Sequence, residues 1–199
     1  MKLADYRIVF VAFGLIGVLL IATPALSRLI SLPGEAQFSE LYLLGPGNVA
    51  ANYPSNIDVG PNYSVYVGVG NQLGSSAYYV LYVKFGNETD QKPNEALRTP
   101  SSLQPLYEYR FSLQSGMSWE NLLTFSIPSA SISGNNSRVN TLRINGITFN
   151  VDKPASRDPK SNTFGYQLIF ELWLYNPQNG SISFNNRFVD LQLNLTKTQ

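Results

Sequence analysis

The chain has 199 residues, a formal net charge of +1, and neither cysteine nor histidine. Without cysteine there is no disulfide framework and no thiol nucleophile. Without histidine the commonest metal ligand and the commonest general base are missing, so neither a zinc site nor a histidine-based catalytic set is expected. Because the net charge is near zero, the chain has no basic field for phosphates, and we expect no nucleic-acid partner.

The first predicted element is an uncharged apolar run between Arg7 and Arg28. It contains the 20 residues 8–27, which at ~1.5 Å of rise each are long enough to cross ~30 Å of hydrocarbon. The run predicts an N-terminal signal anchor, a single transmembrane helix within residues 1–30. Because Lys2 and Arg7 precede it, we expect the domain after it to lie outside the cytoplasm, at the cell membrane.

Two other interpretations of this run are possible from the sequence. A cleaved signal peptide would use the small residues of Ala25-Leu26-Ser27 as its cleavage site. A buried helix of a soluble protein would need a polar face, which residues 8–22 do not supply. We favour the retained anchor, because the apolar stretch is long for a signal peptide.

After residues 31–37, predicted to be a short linker, the apolar pattern changes from continuous to alternating. Tyr78–Phe85 and Tyr166–Tyr175 are apolar on both faces, which predicts central strands or strands with a second covered surface. Leu106–Leu113 and Phe188–Leu195 alternate and predict strands with one solvated face. The predicted strands are 38–44, 63–69, 78–85, 106–113, 121–127, 139–144, 147–151, 166–175, 181–184 and 187–195.

The dipeptide Asn145-Gly146 predicts a tight hairpin turn. In that register Ile144 pairs with Ile147 and Leu142 pairs with Phe149. Because the strands are short, regularly spaced and separated by turn residues, we predict an all-β fold over residues 38–199. The expected architecture is an immunoglobulin-like antiparallel β-sandwich preceded by the one transmembrane helix.

The segment Phe38–Gly60 resembles the outer domain of an archaeal family, domain-of-unknown-function family 1616. The resemblance implies an archaeal envelope protein with an immunoglobulin-like outer domain, and it implies no catalytic residue. Residues 128–163, which hold the Asn145-Gly146 hairpin, depart from the family pattern and are expected to be an insertion. The positions that match the family motif are Phe38, Glu40, Tyr42, Gly45, Pro46, Tyr53, Pro54 and Gly60.

Three kinds of side chain are candidates for sites. Asn62, Asn87 and Asn135 lie in Asn-x-Ser/Thr triplets and are the candidate glycosylation sites. Glu108 and Glu171 are the two mid-strand carboxylates that could serve a glycosidase, but both are expected to face solvent. The acidic residues of 152–162 lie among three cations, which is typical of a solvated loop rather than a calcium site, so we expect no metal and no cofactor.

The aromatic content is compatible with a binding surface for sugar or protein, but core packing explains most of these residues and is the favoured interpretation. Tyr79, Tyr82 and Tyr175 are the aromatic residues that the pattern does not assign to the core. We expect a non-enzymatic envelope protein that binds other envelope proteins, and the loops Gly45–Asn56 and Lys84–Leu103 are the predicted partner surface. A carbohydrate-binding module for surface polysaccharide is the alternative, followed by a glycan hydrolase.

Overall fold

The structure is a computed structural model that describes residues 37–196, together with residues 11, 13 and 15–18. The six described residues near the N-terminus are helical. Most of the predicted anchor at 1–30, and the linker at 31–37 except for residue 37, lie outside the described residues. Within the part of the chain that the structure describes, no helix has the length and apolarity that crossing a bilayer requires.

Residues 38–195 form ten strands in two sheets. The first sheet has the order β1-β3-β6-β7-β8 and the second has the order β2-β10-β9-β4-β5. All neighbouring strands are antiparallel except β2 and β10, which are parallel. The strands are β1 (Phe38–Leu44), β2 (Asn56–Ile57), β3 (Tyr63–Gln72), β4 (Ala77–Asn87), β5 (Pro105–Leu113), β6 (Ser118–Ser133), β7 (Asn136–Ile144), β8 (Ile147–Ser156), β9 (Phe164–Asn176) and β10 (Ser181–Leu195).

The predicted hairpin at Asn145-Gly146 is confirmed. Ile144 pairs with Ile147 and Leu142 pairs with Phe149. Asn145 and Gly146 have φ angles of 48° and 82°, which is the left-handed pair that a type I′ turn requires. The turn dipeptide therefore sets the register of β7 and β8.

Two predictions about strands were wrong. The stretch predicted as two strands, 181–184 and 187–195, is one strand, β10, with an irregularity between Phe184 and Arg187. The sequence pattern also missed β2, because two residues are too short to show any periodicity. β4 and β9 are central strands of the second sheet, as predicted.

The core lies between the two sheets and is made of the inward side chains of each. The first sheet contributes the buried valines of β3 and the apolar residues of β6 and β7, and the second contributes alternate residues of β4 and β9. Full burial of each such side chain stabilises the fold by roughly 1.5–3 kcal/mol. Two buried hydroxyl groups in this core are satisfied, because Tyr79 Oη lies 2.9 Å from Ser39 Oγ and Tyr166 Oη lies 2.7 Å from Ser137 Oγ.

The family motif in β1 packs against glycines of β3. Tyr42 is paired with Gly68 and Glu40 with Gly70. A Cβ atom at Gly68 would lie only 2.1 Å from the Tyr42 ring, and one at Gly70 only 2.5 Å from the Glu40 carboxylate. The two glycines therefore leave room for two motif side chains to lie flat across the neighbouring strand.

The second part of the motif shapes the loop after β1. A Cβ atom at Gly45 would lie 1.9 Å from the carbonyl oxygen of Ala51, so the chain closes on itself there only without a side chain. Gly60 has a φ angle of 108°, which favours glycine. Tyr53 donates a hydrogen bond of 2.9 Å to the carbonyl of Leu43 and holds the loop against the end of β1.

Candidate functional site

The outer face of the second sheet has a covered part and an open part. Alternate residues of β4 and β9 point to this face, and the register places Tyr82 beside Glu171 and Val80 beside Trp173. The long connection between β4 and β5, residues 88–104, reaches over the covered part. We call this connection the strap.

The strap is held by a buried polar cluster, the clamp, which consists of Lys84, Ser101 and Glu171. Lys84 Nζ lies 2.8 Å from Glu171 Oε2 and donates to the carbonyl and hydroxyl oxygens of Ser101 at 3.0 and 3.2 Å. The backbone N–H and the hydroxyl group of Ser101 donate to Glu171 Oε1 at 2.9 and 2.7 Å. All three residues are buried, so the pair is shielded from water and its partners satisfy each other.

The prediction that Glu171 faces solvent was wrong, whereas Glu108 is exposed as predicted. Glu171 is on the outer side of its strand, but its exposed fraction is 0%. The physical reason is the strap, which comes from a distant part of the sequence and covers this position. Glu171 therefore does not line an open cleft in which it could act with Glu108 as a hydrolytic pair.

The open part of the face is a cluster of aromatic side chains, which we call the aromatic patch. Tyr78 and Tyr175 meet edge to face with ring centroids 6.2 Å apart. Trp173 contacts Tyr82 at 5.5 Å and Phe184 at 6.0 Å. Tyr175 is 38% exposed and the other four rings are half-buried, so the patch presents apolar surface to solvent.

The clamp also orients the patch. The indole Nε1 of Trp173 donates a hydrogen bond of 3.2 Å to Glu171 Oε2, the same oxygen that faces Lys84. This bond and the contacts with Tyr82 and Phe184 together restrain the orientation of the indole ring. A rigid aromatic residue loses little conformational entropy on binding.

An exposed charge pair borders the patch. Arg110 donates to Glu108 through Nε at 2.7 Å and through a terminal nitrogen at 3.1 Å. Hydrogen bonds to Glu108 and to Tyr78 raise the pKa of the Arg110 guanidinium above its already high ordinary value. The rim thus supplies one permanent cation and one carboxylate beside apolar rings.

The structure assigns the three aromatic residues that the pattern left open. Tyr79 faces the core, where burial raises the pKa of its hydroxyl group. Tyr82 and Tyr175 belong to the patch. Tyr79 and Tyr82 lie an odd number of positions apart on β4 and therefore point to opposite faces of the sheet, and the packing of the two sheets decides which face is buried.

The candidate glycosylation sites differ in their surroundings. Asn62 and Asn135 are exposed. The amide group of Asn87 is occupied, because Nδ2 donates to the carbonyl of Pro154 at 2.7 Å and Oδ1 accepts bonds from Thr89 and Asp90. Asn87 also lines a polar cleft of about 610 Å³ at the beginning of the strap.

The described residues hold no group of three or more acidic side chains close enough to bind a metal ion. Asp152 instead pairs with Arg138 at 2.7 Å. The carboxylate of Asp158 accepts hydrogen bonds from Lys160 and Ser161, which lower its pKa.

Comparison with known proteins gives one family and several distant folds. The family model described as "Domain of unknown function (DUF1616)" matches residues 33–162, a stretch that includes most of the predicted insertion. No curated protein matches the chain.

Solved structures with some likeness include a beta-glucosidase from Listeria innocua, in complex with glucose (TM-score 0.39, 9% identity) and with gluconolactone (TM-score 0.37, 10% identity). The alignments cover 81% and 80% of this chain, which spans only 16% of the glucosidase chain in each case. The C-terminal domain of wzt aligns over 83% of this chain and 81% of its own, with a TM-score of 0.36 and 12% identity.

Proposed function

The chain belongs to the DUF1616 family, and from that premise we propose that it is a non-enzymatic, membrane-anchored protein of the archaeal cell envelope. In this proposal the helix within residues 1–30 is retained in the cell membrane. The β-sandwich, of immunoglobulin-like type, lies outside the cytoplasm and binds another envelope protein. The observation that carries the proposal is the aromatic patch.

The composition of the patch favours a protein partner. Tryptophan, tyrosine and arginine are the residues that most often dominate binding energy at protein interfaces, and they act best when clustered and surrounded by polar groups. The patch contains Trp173, in contact with Tyr82 and Phe184, and the pair Tyr78 and Tyr175, and Arg110 lies beside Tyr78 at the rim. Two of the ring pairs, Tyr78 with Tyr175 and Tyr82 with Trp173, pack edge to face, which gives a ridged apolar surface that a partner's side chains can fill.

A glycan is the second candidate ligand for the same surface. Tyr175 is the most exposed ring of the patch, and an exposed aromatic ring can stack on the apolar face of a sugar. Arg110 and Glu108 could then hydrogen-bond to hydroxyl groups. This interpretation retains the carbohydrate-binding alternative and gives it a defined location.

Purification from native membranes tests the proposal. The full chain is solubilised in mild detergent as wild type, as the double variant Tyr78→Ser/Tyr175→Ser, and as Met117→Ser, a control that removes an exposed apolar side chain elsewhere. We expect a defined protein to copurify with the wild type and the control, and its yield to fall at least tenfold with the double variant. Far-ultraviolet circular dichroism checks that all three proteins are folded.

Two results would contradict the proposal. The partner could copurify equally with the double variant, which would remove the patch from the interaction. Alternatively, the wild type could be recovered alone and bind a glycan on an array, with that binding lost in the double variant. The second result would identify a carbohydrate-binding module.

A further inference from the structure

Part of the outer edge of β10 has no partner strand. β9 pairs with β10 from Arg187 to Leu195, whereas β2 pairs only with Asn194 and Leu195 on the other side. The backbone N–H of Asn194 donates to the carbonyl of Ser55 at 2.6 Å, so this group points to the side of β2.

Other backbone groups of β10 point to the same side. Backbone N–H and C=O groups alternate in direction along a strand, so those of Asp190 and Gln192 point to the same side as those of Asn194. Among the residues that the structure describes, neither backbone N–H has an acceptor. The edge therefore presents donors and acceptors in the spacing of a β-ladder.

A groove of about 400 Å³ lies directly beside this unpaired edge. One side is formed by Val189, Asp190, Leu191 and Gln192 of β10, and the other by Leu43, Tyr53 and Ser55. The hydrogen bond from Tyr53 to the carbonyl of Leu43 fixes the second wall. Three of the wall residues belong to the Phe38–Gly60 segment that carries the family motif.

The segment that precedes β2 does not pair with β10. Residue 54, which precedes β2, is a proline and has no N–H group to donate to a ladder. The hydroxyl group of Tyr53 hydrogen-bonds to the carbonyl of Leu43 in β1 instead. The position that a longer β2 would occupy is therefore left as the groove.

We propose that this groove binds an extended polypeptide segment of another protein, which adds to β10 as a strand in continuation of β2. An extended backbone carries the complementary partial charges, because its C=O groups accept from Asp190 and Gln192 and its N–H groups donate to their carbonyls. Pairing along residues 188–192 requires about five residues at ~3.3 Å each. The inward side chains of the bound segment meet Leu43 and Leu191, so the segment needs apolar residues at alternate positions.

This surface does not depend on the aromatic patch and is tested with different variants. Random ten-residue peptides displayed on phage are selected on the full chain in detergent micelles, and the enriched peptides are then synthesised. Gln192→Pro removes the N–H that faces the groove but leaves the β9 ladder intact, since that ladder uses the odd-numbered residues of β10. Gln192→Ala is the matched control, because it removes the side chain and keeps the N–H.

We expect the selected peptides to have apolar residues at alternate positions, to bind Gln192→Pro at least tenfold more weakly, and to bind Gln192→Ala as they bind the wild type. Bound peptide should slow amide hydrogen exchange at Asp190 and Gln192 of the wild type at least tenfold, a readout that does not require the proline variant to fold. Equal binding to both variants, or unchanged exchange at the two amides, would overturn the proposal. So would a homodimer that Gln192→Pro dissociates, because a second copy would then occupy the groove.

Discussion

The substitution Glu171→Ala should unfold the sandwich at a much lower urea concentration, because it leaves the Lys84 ammonium group buried without its counter-ion. The variant loses the ion pair at 2.8 Å and the hydrogen bonds from Ser101 and Trp173 that end on the same carboxylate. Removing one partner of a buried pair typically costs about 3–5 kcal/mol. That is a large part of the ~5–15 kcal/mol by which domains of this size are stable.

The free energy of unfolding is measured with the full chain in a fixed concentration of mild detergent, by urea titration followed with circular dichroism. With a urea slope of ~2 kcal/mol per molar, the loss corresponds to a midpoint shift of roughly 1.5–2.5 M. Tryptophan fluorescence gives a second signal, since Trp173 touches the clamp. Glu108→Ala is the control, because it removes an exposed carboxylate from the same face and should change the midpoint little.

A midpoint shift for Glu171→Ala no larger than that of Glu108→Ala would refute the reasoning. The double substitution Lys84→Met/Glu171→Leu gives an independent check, because it removes both charges and keeps apolar volume. We expect it to be clearly more stable than Glu171→Ala, since no unpaired charge remains buried. Equal instability of the two variants would mean that the clamp acts through shape rather than charge.

Three further predictions concern other parts of the fold. Gly68→Ala should destabilise the protein by about 1–3 kcal/mol in urea titrations, because the new Cβ atom meets the Tyr42 ring. Adding Tyr42→Ala to the same chain should recover most of this loss. A Gly68→Ala variant as stable as the wild type would contradict the prediction. Burial raises the pKa of Tyr79, Tyr109 and Tyr166 above the ordinary 10.0, so their contribution to stability is complete below pH 10 and is lost as the pH rises through the folded values. Tyr79→Phe should therefore flatten the alkaline decline seen in urea titrations at increasing pH, and an unchanged decline would count against it. If the host glycosylates its envelope, mass spectrometry of the native protein should find sugar on Asn135 before Asn87, whose amide is occupied, and Asn135→Gln should remove it; sugar on Asn87 alone would reverse the order.

Several features of the sandwich could be predicted because their causes are local. The Asn145-Gly146 turn needs only two residues that tolerate positive φ, and it fixed the pairing of β7 with β8. β1 was predicted with its correct bounds, Phe38–Leu44. The family motif was recognised differently, by its resemblance to a known family, and the structure then showed that Gly45 and Gly60 meet local backbone constraints.

The clamp had a signal in the sequence that was not used. Lys84 and Glu171 are opposite charges, each within a strand that is apolar on both faces. Such charges are rarely buried unless they are paired, so the two strands could have been predicted to lie close together. The partner that buries them could not have been predicted, because Ser101 belongs to an irregular segment with no periodicity.

The sequence by itself determined the all-β class, most of the strands and the hairpin register, because alternation and turn chemistry depend on neighbouring residues. The family was identified separately, through the resemblance of the Phe38–Gly60 segment. Only the tertiary structure decided which face of the second sheet is covered. The strap buries Glu171, leaves Tyr82, Trp173 and Tyr175 in an open patch, and thereby separates a structural pair from a binding surface. It also decided that β2 begins only at Asn56, which leaves a groove along the preceding part of β10. Both features depend on contacts between segments that are far apart in the sequence, and a local sequence pattern does not predict such contacts.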